Sequence, residues 1–359
     1  MVRMTVLASG SKGNSAVVSS TTTRILVDAG LSCRELMRRM AAVGEDATRL
    51  DAILITHEHA DHVSGLPVLA RRLGIPVYLT EATHRAWVRQ MTPRTALGYR
   101  QWMEQQSREK QQRLESMALA HQIAMAASET DDEPDENFFA GDVDVDEAVD
   151  TGMNATREPA GALSDTKLTA AQQDLCEDTD AELKDDARDH PSYLPAVEYF
   201  RAGRSLSIGD IDVLPFTIPH DAADPCGFVF QAEGVRIGFA TDLGYVPENV
   251  KLALKNCDML LIESNHDLEM LRDGPYPWSV KQRVLSRVGH LSNAAAADFL
   301  TRDYDGGARY VVLAHLSESN NLPELARMAA EQALGNRLSL LGNRVVLAPQ
   351  NAPMESLCL

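Results

Sequence analysis

The segment Thr56-His57-Glu58-His59-Ala60-Asp61-His62 sets three imidazoles and a carboxylate close together, directly after the apolar run Asp51–Ile55. A buried strand that ends this way delivers four ligand-type side chains to one strand-to-helix loop. A loop can turn alternate side chains towards one point, so His57 and His59 can share one cation while Asp61 and His62 reach a second. Imidazole and carboxylate suit zinc, and also manganese or ferrous iron. A plain surface turn is the poorer reading, because polar groups packed against a buried strand are costly without a partner.

Four ligands are too few for two cations, and other apolar runs supply the rest. His220 follows the strand-like run Ile211–Ile218, Asp242 follows Val235–Ala240, and His315 follows Tyr310–Ala314. Strand ends gather at one edge of a sheet, so these side chains could converge on the first cluster. Met4–Ala8, Arg24–Val27, Ile75–Leu79, Phe228–Gln231 and Met259–Ile262 also read as strands. Ser64–Leu73, Pro277–Val288, Ser292–Tyr304 and Leu322–Leu334 have helical spacing. Strands interleaved with helices predict a mixed α/β domain over 1–99 and 196–359.

Residues 100–195 differ. Residues 100–127 are rich in helix formers and predict an exposed helix or helical hairpin. Residues 129–190 hold 21 acidic against 4 basic side chains, so they carry 17 of the 18 net negative charges of the 359-residue chain. Their few large apolar residues predict disorder. The remaining residues are near neutral, so the acidity does not argue against a polyanionic ligand. The five cysteines are widely spaced with no Cys-x-x-Cys, which predicts no disulfide framework and a reducing cytoplasm. No apolar run approaches the roughly 18 residues a membrane-spanning helix needs. The N-terminus reads as a strand entering a Gly/Ser loop, not as a signal peptide.

The motifs together resemble the metallo-β-lactamase superfamily, and within it the WalJ/YycJ group of bacterial metallo-hydrolases. The resemblance rests on Leu7-Ala-Ser-Gly-Ser-Lys-Gly-Asn14, Val27-Asp-Ala-Gly30, Thr56–His62, Pro219-His-Asp-Ala222 and Thr241-Asp-Leu-Gly244. It rests further on Glu263-Ser-Asn-His-Asp267, Gly289-His-Leu-Ser-Asn293 and Ala314-His-Leu-Ser317 with Asn320-Asn321. These motifs span residues 1 to about 90 and 196 to about 335; the long middle segment departs from the group. The resemblance implies a four-layer αββα sandwich with two divalent metal ions, zinc or manganese, along one edge. It implies His57, His59 and His220 on one metal, Asp61, His62 and His315 on the other, and Asp242 bridging. It implies a cytoplasmic nuclease, a 5′-to-3′ exonuclease on DNA, with RNA as the substrate of more distant branches.

Chemistry leaves several roles open. Two divalent cations can lower the pKa of a bridging water and place hydroxide in line with a phosphorus, with Asp61 and Asp242 among their ligands. A leaving oxygen then needs a proton, and His290, His266 and less directly Glu263 are the candidates. His290 could instead be a residue of the helix cap, His266 a support for a ligand, and Glu263 the group that orients a ligand histidine. Ser292 is a plausible N-cap, and a helix N-terminus there could receive a phosphate. Ser9, Ser11 and Asn14 lie in a loop that could approach substrate or be an ordinary hairpin turn. It is not a P-loop, because no Gly-Lys-Ser/Thr is present. Asp28 is expected to fix the metal loop by hydrogen bonds, and Cys226 reads as a small buried residue. The competing functions are a small-molecule hydrolase (thioesterase, lactonase or cyclic phosphodiesterase), an RNA-processing nuclease, and a non-enzymatic scaffold on an inert fold.

Overall fold

The computed structural model describes residues 1–92, 191–335, 338 and 342–359. All fall within one unit, Met1–Pro93 with Lys184–Leu359. The helix expected over 100–127 and the disorder expected over 129–190 lie outside the described residues, as do most of 100–195.

Alternation of apolar side chains builds two sheets. The first runs β1 (Arg3–Ala8), β2 (Ser15–Ser19), β3 (Arg24–Val27), β4 (Ala52–Leu54), β5 (Val77–Leu79) and β6 (Val197–Tyr199). The second runs β7 (Leu206–Ile208), β8 (Ile211–Thr217), β9 (Cys226–Ala232), β10 (Val235–Ala240), β11 (Met259–Glu263), β12 (Tyr310–Ala314) and β13 (Arg344–Leu347). A short β14 (Leu357–Cys358) closes the first sheet beside β1. Met4, Val18, Ile25, Val27 and Leu54 point into the space between the sheets and meet Val213, Phe228, Phe230, Phe239 and Leu261 there. The intervening residues point outward. Val17, Leu26, Ile53 and Val77 pack under α1 (Cys33–Ala42), α3 (Leu66–Leu73) and α4 (Glu81–Met91), with α2 (Ala60–Val63) leading into α3. Val229, Leu260, Ile262 and Val311 pack under α5 (Glu248–Ala253), α8 (Asn293–Arg302) and α9 (Pro323–Leu334). The result is four layers, αββα. Two short helices, α6 (Leu268–Asp273) and α7 (Trp278–Val284), lie between β11 and α8.

Strand direction decides where the ligand candidates go. β3, β4 and β5 are mutually parallel, as are β10, β11 and β12. β8 and β10 both run antiparallel to β9 and therefore parallel to each other. The C-terminal ends of these strands carry Asp28, the Thr56–His62 loop, His220, Asp242, Glu263 and His315. Two hydrogen bonds tie the sheets at this edge, from Cys226 N–H to Thr56 O (3.1 Å) and from His315 N–H to Ser9 Oγ (2.7 Å).

Some boundaries differ from expectation. The helix expected over Ser64–Leu73 forms as α3 from Leu66, with Gly65 at its N-cap, where a Cβ would lie 1.9 Å from Leu31 O, and with the short α2 before it. The helix expected over Pro277–Val288 stops at Val284. β2 was not anticipated, since Ser15 and Ser19 hide a strand in which all five residues are buried. Among the described residues no helix is long and apolar enough to cross a membrane.

Candidate metal centre

The Thr56–His62 loop is held by Asp28, which sits just past β3. Asp28 Oδ1 accepts from Thr56 N–H (2.9 Å), and Oδ2 lies 2.8 Å from His62 Nδ1. With Nδ1 so engaged, His62 is left with Nε2 to present. Thr56 Oγ1 lies 3.0 Å from His57 Nδ1, which leaves that ring its Nε2 as well. His57 Nε2 is 3.1 Å from His59 Nδ1, and His220 Nε2 is 3.2 Å from the same atom. His220 Nδ1 faces Gly289 O at 3.2 Å. The nitrogens of His57, His59 and His220 thus face one point, and oxygens behind the rings of His57, His220 and the adjoining His62 fix their orientations.

A second group adjoins the first. His62 Nε2 lies 3.6 Å from Asp61 Oδ2 and 3.3 Å from Asp242 Oδ2. His315 Nε2 is 3.9 Å from Asp61 Oδ2, while its Nδ1 faces Glu263 Oε1 at 3.0 Å and Asp242 Oδ1 at 3.1 Å. Among the described residues, Asp242 Oδ2 and His315 Nε2 are buried without a hydrogen-bond partner. Such orphaned atoms are expensive in a folded interior and are what a cation would satisfy. Ligand atoms that could hold a metal ion group as His57, His59, His220; as His57, His62, Asp242; and as Asp242, Glu263, His290, His315. The donor set, imidazole with carboxylate and no thiolate, fits divalent ions.

Backbone strain marks the same residues. Asp28 (φ 59°), Asp242 (φ 59°) and His315 (φ 56°) occupy the left-handed region. That conformation is unfavourable for residues with a Cβ and tends to collect at functional sites. Each turns the chain sharply where a parallel strand ends.

Electrostatics follow from burial and proximity. Burial alone would raise the Asp242 carboxyl, but His315, His62, His57 and His220 around it hold it well below the usual range. Burial likewise opposes ionisation of Glu263, and His290 and His315 overcome it. His62, buried among Asp242, Asp28 and Asp61, is raised to about 10 despite its desolvation. His315, facing Asp242 and Glu263, is raised to about 9. His57 and His220 are lowered, first by burial.

The other sequence candidates divide. His290 Nδ1 lies 2.8 Å from Glu263 Oε1, and Glu263 Oε2 accepts from the N–H groups of Leu243 (2.8 Å) and Leu291 (3.2 Å). His266 is buried, with neither ring nitrogen hydrogen-bonded among the described residues, and burial lowers it to about 4. Such a ring is mostly neutral near pH 7 and is a poor general acid. Asn14 Nδ2 lies 3.0 Å from His62 Nε2 and 3.2 Å from Asp61 Oδ2, so it touches two proposed ligands. Ser9 holds His315 through the sheet-bridging hydrogen bond, and Ser11 is exposed. Ser292 caps α8 by accepting from Ala295 N–H, while Asn293 N–H donates to His266 O, so two N–H groups of the first turn are already spent.

Three features were not foreseen. Glu58 Oε1 accepts from Ala223 N–H (2.8 Å), joining the first loop to the His220 loop. Buried Asn265, Asn293 and Asn321 interlock, with Asn265 Nδ2 donating to His315 O (2.8 Å) and Asn321 Nδ2 to the carbonyls of Ser264 and Asn265. Arg283 Nε donates to Asp221 Oδ2 (2.6 Å) beside His220. The asparagines were visible only as parts of the motifs, and no local pattern announces a network between distant segments.

Comparisons with known proteins agree with this architecture. Residues 9–160 match the Metallo-beta-lactamase superfamily and residues 142–316 match the Beta-lactamase superfamily domain. The chain is 29% identical over 326 residues to Exodeoxyribonuclease WalJ of Streptococcus pneumoniae serotype 2 (strain D39 / NCTC 7466), covering 91% of this chain and 86% of that protein. It is 29% identical over 333 residues to Exodeoxyribonuclease YycJ of Bacillus anthracis, covering 93% and 89%. Among solved structures, the metallo-beta-lactamase fold protein YhfI of Bacillus subtilis superposes with a TM-score of 0.53 at 13% identity, over 98% of this chain and 99% of that one.

Proposed function

Because this chain belongs to the metallo-β-lactamase superfamily, we propose that it is a metal-dependent phosphodiesterase, a 5′-to-3′ exonuclease on DNA. The observation that carries the reading is similarity to exodeoxyribonucleases across most of the chain, combined with the Glu263–His290 pair beside Asp242. We read 1–99 with 196–359 as the catalytic domain, 100–195 as an insertion, and the compartment as the cytoplasm. The free thiols of Cys33, Cys226, Cys257 and Cys358 suit that compartment.

Two divalent ions, zinc or manganese, would be held by His57, His59 and His220 on one side and by Asp61, His62 and His315 on the other, with Asp242 between them. Bound there, they supply Lewis-acid polarisation of a phosphate and a water of lowered pKa. The chain's own residues do the rest. Asp28, Thr56, Gly289 and Glu263 fix the ring orientations of His62, His57, His220 and His315, so the site is organised before substrate arrives. Glu263 holds His290 through Nδ1, which leaves Nε2 to carry the proton. As the phosphorus–oxygen bond breaks, that proton passes to the leaving sugar oxygen.

The test compares substrate classes at matched enzyme and metal: single- and double-stranded DNA, RNA, a thioester and a lactone. This reading expects the highest kcat/KM on DNA. A preference for RNA would move the chain to the RNA-processing branch, and turnover of only the thioester or lactone would replace the reading with a small-molecule hydrolase.

A further inference from the structure

From Gly274 to Gly289 the chain reads Gly-Pro-Tyr-Pro-Trp-Ser-Val-Lys-Gln-Arg-Val-Leu-Ser-Arg-Val-Gly, with three cations and no acid. Its helix, α7, has no buried residue. Trp278 is 68% exposed, and Leu285 and Val288 are also exposed. A short helix is marginal in water unless packing holds it, and a large exposed apolar side chain beside cations is a feature of binding surfaces.

The far end of this segment is fixed against the metal centre. His290 N–H donates to Val284 O (3.0 Å), Asp221 N–H donates to Val288 O (3.1 Å), and Gly289 O faces His220 Nδ1. Gly244, two residues after Asp242, lies so close that a Cβ there would be 2.4 Å from the Arg287 carbonyl carbon. The segment therefore rests on the loops of two proposed metal ligands. Arg283 is neutralised by Asp221. Lys281 donates to the Arg272 carbonyl, and the Arg287 guanidinium lies 4.4 Å over the Tyr245 ring. Neither Lys281 nor Arg287 forms an ion pair among the described residues. Trp278 stands about 9 Å along the helix from Val284, so a stacking surface and two cations outside any ion pair lie in one segment beside the site.

We infer that this segment grips a single strand of DNA next to the scissile bond. Lys281 and Arg287 meet phosphates, and Trp278 stacks on a base. The inference rests on the nuclease reading. A phosphodiester chain suits the platform because it offers one negative charge per residue and a flat base to stack.

The test measures binding of a fluorescein-labelled, phosphorothioate-linked oligothymidylate to the full chain by anisotropy across a salt series. Trp278→Ala should weaken binding about 5- to 100-fold, and Trp278→Phe should recover most of the loss. The Lys281→Ala/Arg287→Ala double variant should flatten the slope of log affinity against log salt by about 1.4, at about 0.7 per phosphate contact on a single strand. Thermal midpoints identify any variant that fails to fold, and Trp278→Phe and Lys281→Arg keep the test open in that event. Parental affinity and slope in the Trp278→Ala and double variants overturn the platform. So does a dimer that falls to monomer in Trp278→Ala while DNA affinity stays at the parental level, since the face then belongs to a second copy. A parent that binds the oligonucleotide yet cuts no DNA sinks the nuclease reading and leaves the platform standing; a parent that does not bind it sinks the platform.

Discussion

His290 Nδ1 lies 2.8 Å from Glu263 Oε1, and the same oxygen lies 3.0 Å from Nδ1 of His315. One fully buried carboxylate therefore orients both a proposed metal ligand and the proposed proton donor, and its other oxygen holds the backbone of the Asp242 and His290 loops.

His290→Ala should keep the metal content and lose about 10² to 10⁴ in kcat on a DNA phosphodiester. The loss should be much smaller on bis-p-nitrophenyl phosphate, whose leaving group departs without a proton. Steady-state kinetics on both substrates check this, and an equal loss on both would assign His290 to phosphate positioning. Glu263→Gln should reproduce the substrate-dependent loss while also lowering metal affinity through His315.

Asp242→Ala removes the carboxylate that stands between the two ligand groups. Elemental analysis should find reduced metal per chain, and DNA hydrolysis should fall to background while circular dichroism stays parental. Full metal loading in this variant would remove Asp242 from the ligand set.

The metal-free fold has its own pH dependence. His62 and His315 are raised to about 10 and about 9, above the roughly 6.5 of a free imidazole. A raised pKa contributes stability that is whole below the unfolded value and is lost as pH rises through the folded one. The thermal midpoint of chelated protein should therefore fall between about pH 7 and 10. Metal-loaded protein, whose ligand imidazoles are already deprotonated, should change far less. Equal slopes for the two forms would contradict the proposed role of these histidines.

Cys226 and Cys257 are buried on the two faces of the second sheet, and burial pushes both thiols up to about 12. At neutral pH the folded protein should alkylate at these positions on the order of 10³ slower than an exposed thiol, because the thiolate is the reactive form. Peptide mapping after iodoacetamide, with and without denaturant, reads this directly.

Much of the architecture was legible because strands announce themselves by alternation and the ligand types sit where apolar runs stop. His220, Asp242 and His315 could be found because parallel strands bring their C-terminal ends to one edge. Less legible were features set by packing between distant segments. Gly65 is required at the N-cap of α3 because Leu31 O leaves no room for a side chain. Ser15 and Ser19 hide a fully buried strand behind polar letters. The left-handed turns at Asp28, Asp242 and His315 carry only a weak residue signal: aspartate and histidine enter that region more readily than most residues with a Cβ, but seldom. That His290 and not His266 meets Glu263 also lay beyond the sequence, because it depends on packing between distant segments.

The central claim is tested most directly by end-labelled DNA digested with purified, metal-loaded protein. The account predicts release of the 5′ label at the earliest time points as a mononucleotide, with 3′-labelled strands shortening progressively, and loss of both on chelation or in Asp242→Ala. Intact DNA after prolonged incubation of protein shown by elemental analysis to carry its metal would contradict it.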